Sequence, residues 1–422
     1  MTSTPRTDPG PDQPKVARRS LLTGGAAGLG LGAALGLGGG FVLGRSADGR
    51  ASTSGDATAP DDSSAGHGFG ADALDCHGAH QAGIVTPAAA HVRYVAYRLR
   101  KETDRAAIAR MFTVLSDDIV GLTSGDAPLA DPEPELAARP ARLSITVGVG
   151  PELVDRVDPG LRPDWLAPLP AFSRDRLGSG FDGGDLLLIL QADDPLPLAH
   201  AGRMLDRDLA SFAEPAWRQQ GFTRASGAEV DGRSMRNLMG QVDGTVNPSP
   251  DSDDFASLVW LGADAGWLAG GSAFVLRRIR MELDTWDQVD RPGREQSVGR
   301  RLTDGSPLNA PEGSGEHAPA DFTAVDERGL SAIPVAAHIR RAHSTDPNER
   351  IYRRAANYDD GVEAGLLFGC YQQDPLRQFV PIQARLDEVD LLNEWVTHTG
   401  SAVFAILPGF RPGETIGSTL LA

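Results

Sequence analysis

The sequence predicts an α+β protein made of two similar halves. Three observations carry this. Strand-like runs with period-two alternation recur along the chain, helical stretches separate them, and the order of runs in the first half returns in the second. In the first half, 91–99 (HVRYVAYRL) reads as a strand. A helix follows, with Ile108, Met111, Phe112, Leu115 and Ile119 on one face. Two more strand-like runs come at 143–149 and 185–191. In the second half the corresponding runs are 272–281 (SAFVLRRIRM), 365–372 and 401–407. A duplicated βαββαβ unit is the simplest architecture that fits, and two copies are too few for a solenoid. Between Leu302 and Arg328 the chain is rich in Gly, Pro, Asp and Glu, which predicts a long loop of the covering or mobile kind.

At 422 residues the chain exceeds what one core usually serves. Apolar residues make up 41% and charged residues 23%, as in ordinary globular proteins. The formal charge of −17 argues against nucleic acid or an anionic membrane surface as partner. The two cysteines, Cys76 and Cys370, cannot build a disulfide framework or a four-thiolate metal site. One disulfide or two buried thiols both fit.

The folded part is expected to begin near Cys76. Before it, Arg18-Arg19 precede a long uncharged, Gly/Ala-rich stretch that reaches Arg45. Paired arginines before a weakly apolar stretch read as a twin-arginine export signal over 1–47, against an uncleaved anchor as the other reading. Residues 48–75 are small, polar and acidic, which predicts a flexible linker. The halves are then expected at 76–235 and 236–422, in a protein exported to the cell envelope or beyond and not stably inserted in a membrane after cleavage.

Three segments could carry chemistry. Gly240-Gln241-Val242-Asp243-Gly244 is followed by Asn247-Pro248. On the residues alone this is either a tight surface turn with a solvated Asp243, or a carboxylate held on a constrained backbone and aimed into a pocket. His338, in Ala337-His338-Ile339-Arg340, is either a structural histidine or a metal ligand. Its five-residue spacing from His343 does not suit a helical zinc pair. The cluster Arg350-Ile351-Tyr352-Arg353-Arg354 is either a solvated face or an anion-recognising group. His77 and His80 could form a metal pair, but their place at the domain start favours a structural role.

G-x-x-D-G at Gly240–Gly244 resembles the signature of the dye-decolourising peroxidases. The likeness extends to 77–87 (HGAHQAGIVTP), to Arg277–Met281 with Thr285-Trp286, and to Val298-Gly299-Arg300. It continues through Leu366-Leu367-Phe368, 378–383 (QFVPIQ) and Leu392-Asn393-Glu394. It runs in order from about residue 77 to 412, and includes the twin-arginine subgroup similar to deferrochelatase/peroxidases.

The resemblance implies two ferredoxin-like halves, in the manner of a dimeric α+β barrel, with one haem b per chain between them. It assigns His338 as proximal iron ligand, Asp243 as distal acid–base group and Arg353 as distal arginine, with Arg354 the weaker candidate. Leu366 and Phe368 are expected to line the distal pocket, Glu394 to accept from the His338 ring N–H, and Asn247 and Arg300 to touch the haem edge. Hydrogen peroxide and a reducing small molecule are the implied partners, and a homo-oligomer is left open. A carboxylate base stays ionised in acid, where a histidine would be protonated, so an acidic optimum is expected. Rival readings are a deferrochelatase that frees iron from intact porphyrin, a haem carrier without turnover, and an exported binding protein without cofactor.

Overall fold

The computed structural model describes residues 70–229 and 233–422. The expected export signal and residues 48–69 of the expected linker lie outside the described residues.

The first half runs β1 (His91–Leu99), α1 (Arg105–Ser124), β2 (Ser144–Val149), α2 (Pro151–Val157), β3 (Leu186–Ala192), α3 (Pro195–Asp208) and β4 (Ala213–Phe222). Helix α1 starts where the Asp104 side chain accepts from Ala107 N, and stops at Gly125, whose φ is 84°. Its expected apolar face, Ile108 to Ile119, is fully buried. Each such side chain contributes about 1.5–3 kcal/mol on removal from water. A hairpin follows, β5 (Met235–Arg236) and β6 (Val242–Asp243), then α4 (Phe255–Val259).

The second half begins with β7 (Ser272–Met281). Three short helices follow, α5 (Leu283–Trp286), α6 (Arg291–Val298) and α7 (His338–Ala342). It then runs β8 (Tyr352–Arg353), β9 (Ala356–Asp359), β10 (Ala364–Gln372), α8 (Phe379–Val389) and β11 (Val396–Ile406). The boundary expected at 235/236 therefore cuts the β5–β6 hairpin, which bonds Met235 to Asp243 in register. The last strand starts at Val396, earlier than the expected 401, because 396–399 carry polar residues that hide it from an apolar pattern.

Apart from the β5–β6 hairpin, the strands form one antiparallel sheet, with β2-β3-β1-β4 from the first half and β11-β7-β10-β9 from the second. This is the same order twice, as ferredoxin-like units require. The halves join where Ala405 and Ile406 of β11 pair with Val149 and Gly148 of β2, and where Phe222 of β4 pairs with Asn357 of β9. The ring closes into a barrel through β7 and β10, with β8 and β9 pairing to successive stretches of β10.

Alternation sorts the side chains. Val92, Tyr94 and Ala96 join Leu187, Phe274, Leu367, Tyr371 and Phe404 in a core drawn from both halves, the barrel interior. Their neighbours Val95, Tyr97 and Leu99 face outward, under α1 and α3. On the outer face of the second half a smaller cluster gathers Met239, Met281, Trp286 and Leu366.

Candidate active site

Asp243 ends the short strand β6. The turn before it is wound around Asn237, whose Oδ1 accepts from Met239 N (3.1 Å) and Gln241 N (3.2 Å). Arg236 clamps this turn to the chain beyond α6 by donating to Gly240 O (2.9 Å), Leu302 O (2.7 Å) and Thr303 O (2.9 Å). Trp286, fully buried, donates its indole N–H to Met239 O at 3.0 Å and so belongs to the core. Gly244 has φ 124°, a conformation that a side chain would strain, and lets the chain leave Asp243 sharply.

Arg353 sits on β8. Its Nη1 donates to Asp243 Oδ1 at 3.0 Å, which leaves Oδ2 free of protein partners among the described residues. Both side chains are mostly buried, with 20% and 15% exposed. Arg354, one residue on, points elsewhere and donates to Gln191 Oε1 (3.1 Å) and Gly83 O (3.4 Å). Geometry thus joins Arg353, not Arg354, to Asp243.

Asn247 is bonded to Arg353. Its Nδ2 donates to Arg353 O (2.8 Å) and its Oδ1 accepts from Arg353 N (2.9 Å). Both ends of the amide grip the arginine main chain, so Asn247 positions Arg353.

His338 opens α7. Its Nδ1 bonds Asp390 Oδ2 at 2.6 Å, and its Nε2 has no protein partner among the described residues. The expected acceptor, Glu394, is a correction: it faces Arg174 at 3.9 Å with its side chain 73% exposed. The reason is local. Asp390 caps the turn 391–394 by accepting from Leu392 N through Oδ1 (2.9 Å), which leaves Oδ2 for the ring. Leu391 N also donates to Ala336 O (2.9 Å), tying this turn to the segment that carries His338. Asp390 was missed because the nearby Leu392-Asn393-Glu394 held the resemblance. The signal was an aspartate directly before an Leu-Leu-Asn turn, a capping position.

Electrostatics link the two sides. Burial works against charging His338, but the Asp390 carboxylate outweighs it and raises the ring above the ordinary histidine range, with Asp243 adding and Arg353 opposing. Asp243 and Arg353 therefore face His338 closely enough for their charges to be felt.

Arg300 lies alongside. Its Nη1 donates to Gly305 O (2.7 Å) and Glu316 O (2.9 Å), while its Nε is buried without a partner. Burial, with Arg353 adding, pushes the guanidinium down to about 10. Gly299, φ 93°, admits close packing here: a Cβ would meet Ile339 at 2.8 Å, next to His338. Glu316, in the long loop, also accepts from Ser234 N at 3.1 Å, so the loop over 302–328 is bonded across the Asp243 hairpin. Leu366 and Phe368 share one face of β10, against the Met239–Trp286 cluster.

The remaining candidates serve the fold. His80 Nδ1 bonds Gly270 O (2.7 Å) and its ring stacks on Trp260, while His77 turns to Asp75 (3.1 Å), so the two do not form a pair. His343 rests on Phe322, His200 bonds Asp131 at 2.7 Å, and His398 lies buried beside Arg277. Both cysteines are free and buried.

An α+β barrel whose linking hairpin and second half together bring a carboxylate–guanidinium pair near a carboxylate-held histidine is the frame of a peroxidase. The chain belongs to the Dyp-type peroxidase family: its N-terminal model matches residues 81–223 and its C-terminal model residues 234–411. A dye-decolorizing peroxidase of Thermobifida fusca is 38% identical over 82% of this chain and 85% of its own length. A deferrochelatase of Escherichia coli K12 is 31% identical over 82% and 86%. Among solved structures, a DyP-type peroxidase from Cellulomonas bogoriensis is similar at 46% identity and TM-score 0.80, covering 84% of this chain and 99% of that one. Ferric DtpA from Streptomyces lividans is similar at 37% identity and TM-score 0.80, over 86% and 100%.

Proposed function

We propose that the chain is a haem b peroxidase that holds one haem between His338 and the Asp243–Arg353 pair and uses hydrogen peroxide to oxidise dyes, phenolics or other bulky donors. The observation that carries this is the division of labour in the two pairs. Asp390 fixes one nitrogen of His338 and leaves the other bare for a metal. Arg353 fixes one oxygen of Asp243 and leaves the other bare for a proton. The surroundings fit the group. The buried, unpartnered Nε of Arg300 suits a propionate, and Leu366 with Phe368 offers an apolar wall.

The haem, when bound, accepts the oxidising equivalents of peroxide and passes them on to the donor one electron at a time. The protein's own part is proton and charge management. Asp243 Oδ2 takes the proton from one peroxide oxygen and returns it to the other, so that the leaving oxygen departs as water. Arg353 stabilises negative charge as the O–O bond breaks, and Asn247 holds its main chain in place. Export by the twin-arginine route belongs to the same reading, supported by Arg18-Arg19 before the apolar stretch. No helix among the described residues is long and apolar enough to cross a membrane.

The test is a visible spectrum of haem-loaded protein before and after one equivalent of peroxide, beside Asp243→Ala and His338→Ala. Wild type should show a ferric haem band that changes within the mixing time. Asp243→Ala should slow the change about 10²–10⁴-fold, and His338→Ala should lose or alter the haem band. A protein that takes up no haem sinks the reading. Release of iron with intact porphyrin would favour the activity named for the 31%-identical relative.

A further inference from the structure

A cavity of about 520 Å³ is lined by Asp243, Asn247 and Arg353 and extends past them to Arg354, Tyr94 and Tyr371; His338 does not line it. Its floor is one mouth of the barrel, where Tyr94 and Tyr371 of the interior core come to the surface of the cavity. Barrel mouths are common seats for small ligands, and this volume suits one.

The wall is cationic in a protein of net charge −17. Four of its arginines are matched: Arg142 by Asp193 (3.0 Å), Arg224 by Glu229 (2.7 Å), Arg233 by Glu316 (3.4 Å) and Arg353 by Asp243 (3.0 Å). Arg354 is the exception. Among the described residues it meets no carboxylate, and only its Nη2 is used, in two neutral bonds of 3.1 and 3.4 Å. The rest of its five-donor fork is available. Gln191 is oriented to suit: its Nε2 donates to Gly83 O (2.8 Å), which turns its Oε1 toward Arg354. Burial pushes both tyrosine hydroxyls up while the Arg354 charge pulls against it, so the cation faces the phenols. Phe274 lies between the two tyrosines, stacked on Tyr94 at 6.3 Å and tilted against Tyr371 at 4.8 Å.

An unmatched planar cation beside aromatic rings selects a planar anion with an apolar body. We propose that this barrel mouth binds a small aromatic carboxylate, its carboxylate on Arg354 and its ring against Tyr94 and Tyr371. The inference concerns binding alone and does not depend on turnover at the neighbouring site.

Carboxylates could come from free solute or from the cofactor's own propionates, and the experiment separates them. Benzoate and benzamide are compared by equilibrium dialysis and thermal melting, on haem-loaded and haem-free protein. Saturable benzoate binding to the loaded protein is expected, with a rise in Tm and at least tenfold weaker binding of benzamide. Arg354→Gln should weaken benzoate at least tenfold, and Arg354→Lys less. If Arg354→Gln fails to fold, the benzoate–benzamide ratio on wild type and the Lys variant still decide. Equal binding of the two probes, undiminished binding to Arg354→Gln, or binding only to the haem-free protein would each overturn the proposal. The last outcome would give Arg354 to the propionates.

Discussion

The two halves share one strand order but cover their sheets differently. In the first, α1 and α3, of 20 and 14 residues, seal the outer face under a large apolar core. In the second, the link between the first and second strands of the repeat runs from Met281 to Ala356, and its helices are all short, with the two-residue strand β8 at its end. That link delivers Arg300, His338 and Arg353, and the core beneath it has few fully buried members. One copy of the unit holds the barrel together. The other gives up a covering helix so that polar side chains can gather over its sheet. The site exists where the repeat departs from itself.

Substitutions can probe this contrast, beginning with the site. The largest effect is expected at Asp243, as given above. Next, Asp390→Asn should weaken haem retention or peroxide reactivity about 10–100-fold, the usual cost of losing a ligand's outer partner. Glu394→Gln should leave both unchanged. Haem transfer to an acceptor protein and stopped-flow mixing read the two, and a reversed order would restore Glu394 to the role first expected. Asn247→Ala should cost less, about tenfold in the peroxide step at unchanged haem content, since it frees the Arg353 main chain without removing the guanidinium.

The smallest effect is expected in the first half, and on stability alone. Asp118 of α1 is buried, with Oδ2 unpartnered, and burial together with the Asp208 carboxyl pushes it up to about 7. Its folded value lies above its unfolded one, so the folded state holds the proton more tightly. That contribution is complete below about pH 4 and is lost as pH rises through about 7. Asp118→Asn should flatten the fall of Tm between pH 5 and 8 and melt higher than wild type at pH 8. A variant with the wild-type slope would show that Asp118 is not the group responsible.

Much of this was legible in the sequence. The strands at 91–99 and 272–281 and the face of α1 follow from periodicity, because core packing imposes it. Strand β4 was not, since AEPAWRQQGF mixes Pro and polar residues and its buried positions include Gln219 and Gly221, which carry no apolar signal. At the site, Asp243, His338 and Arg353 stood out through the motifs around them. What bonds to what did not, because Asp390 lies 52 positions from His338 and Asn247 lies 106 from Arg353. Neither spacing follows any helical or strand period, and only the closed barrel brings them together.

The seams of that barrel are unequal. One is held by two residue pairs, at Ala405 and Ile406. The other is held by the single pair Phe222–Asn357. The same Asn357 donates its side-chain amide to Arg236 O (3.0 Å), inside the hairpin that carries Asp243. The thinnest stitch in the barrel is thus also a peg for the proton-handling carboxylate. Local opening begins where few bonds must break at once. Breathing at this seam would loosen Asp243 before any other part of the wall gives way, so amide exchange at Phe222 and Asn357 would set the upper limit on how long that carboxylate stays aimed.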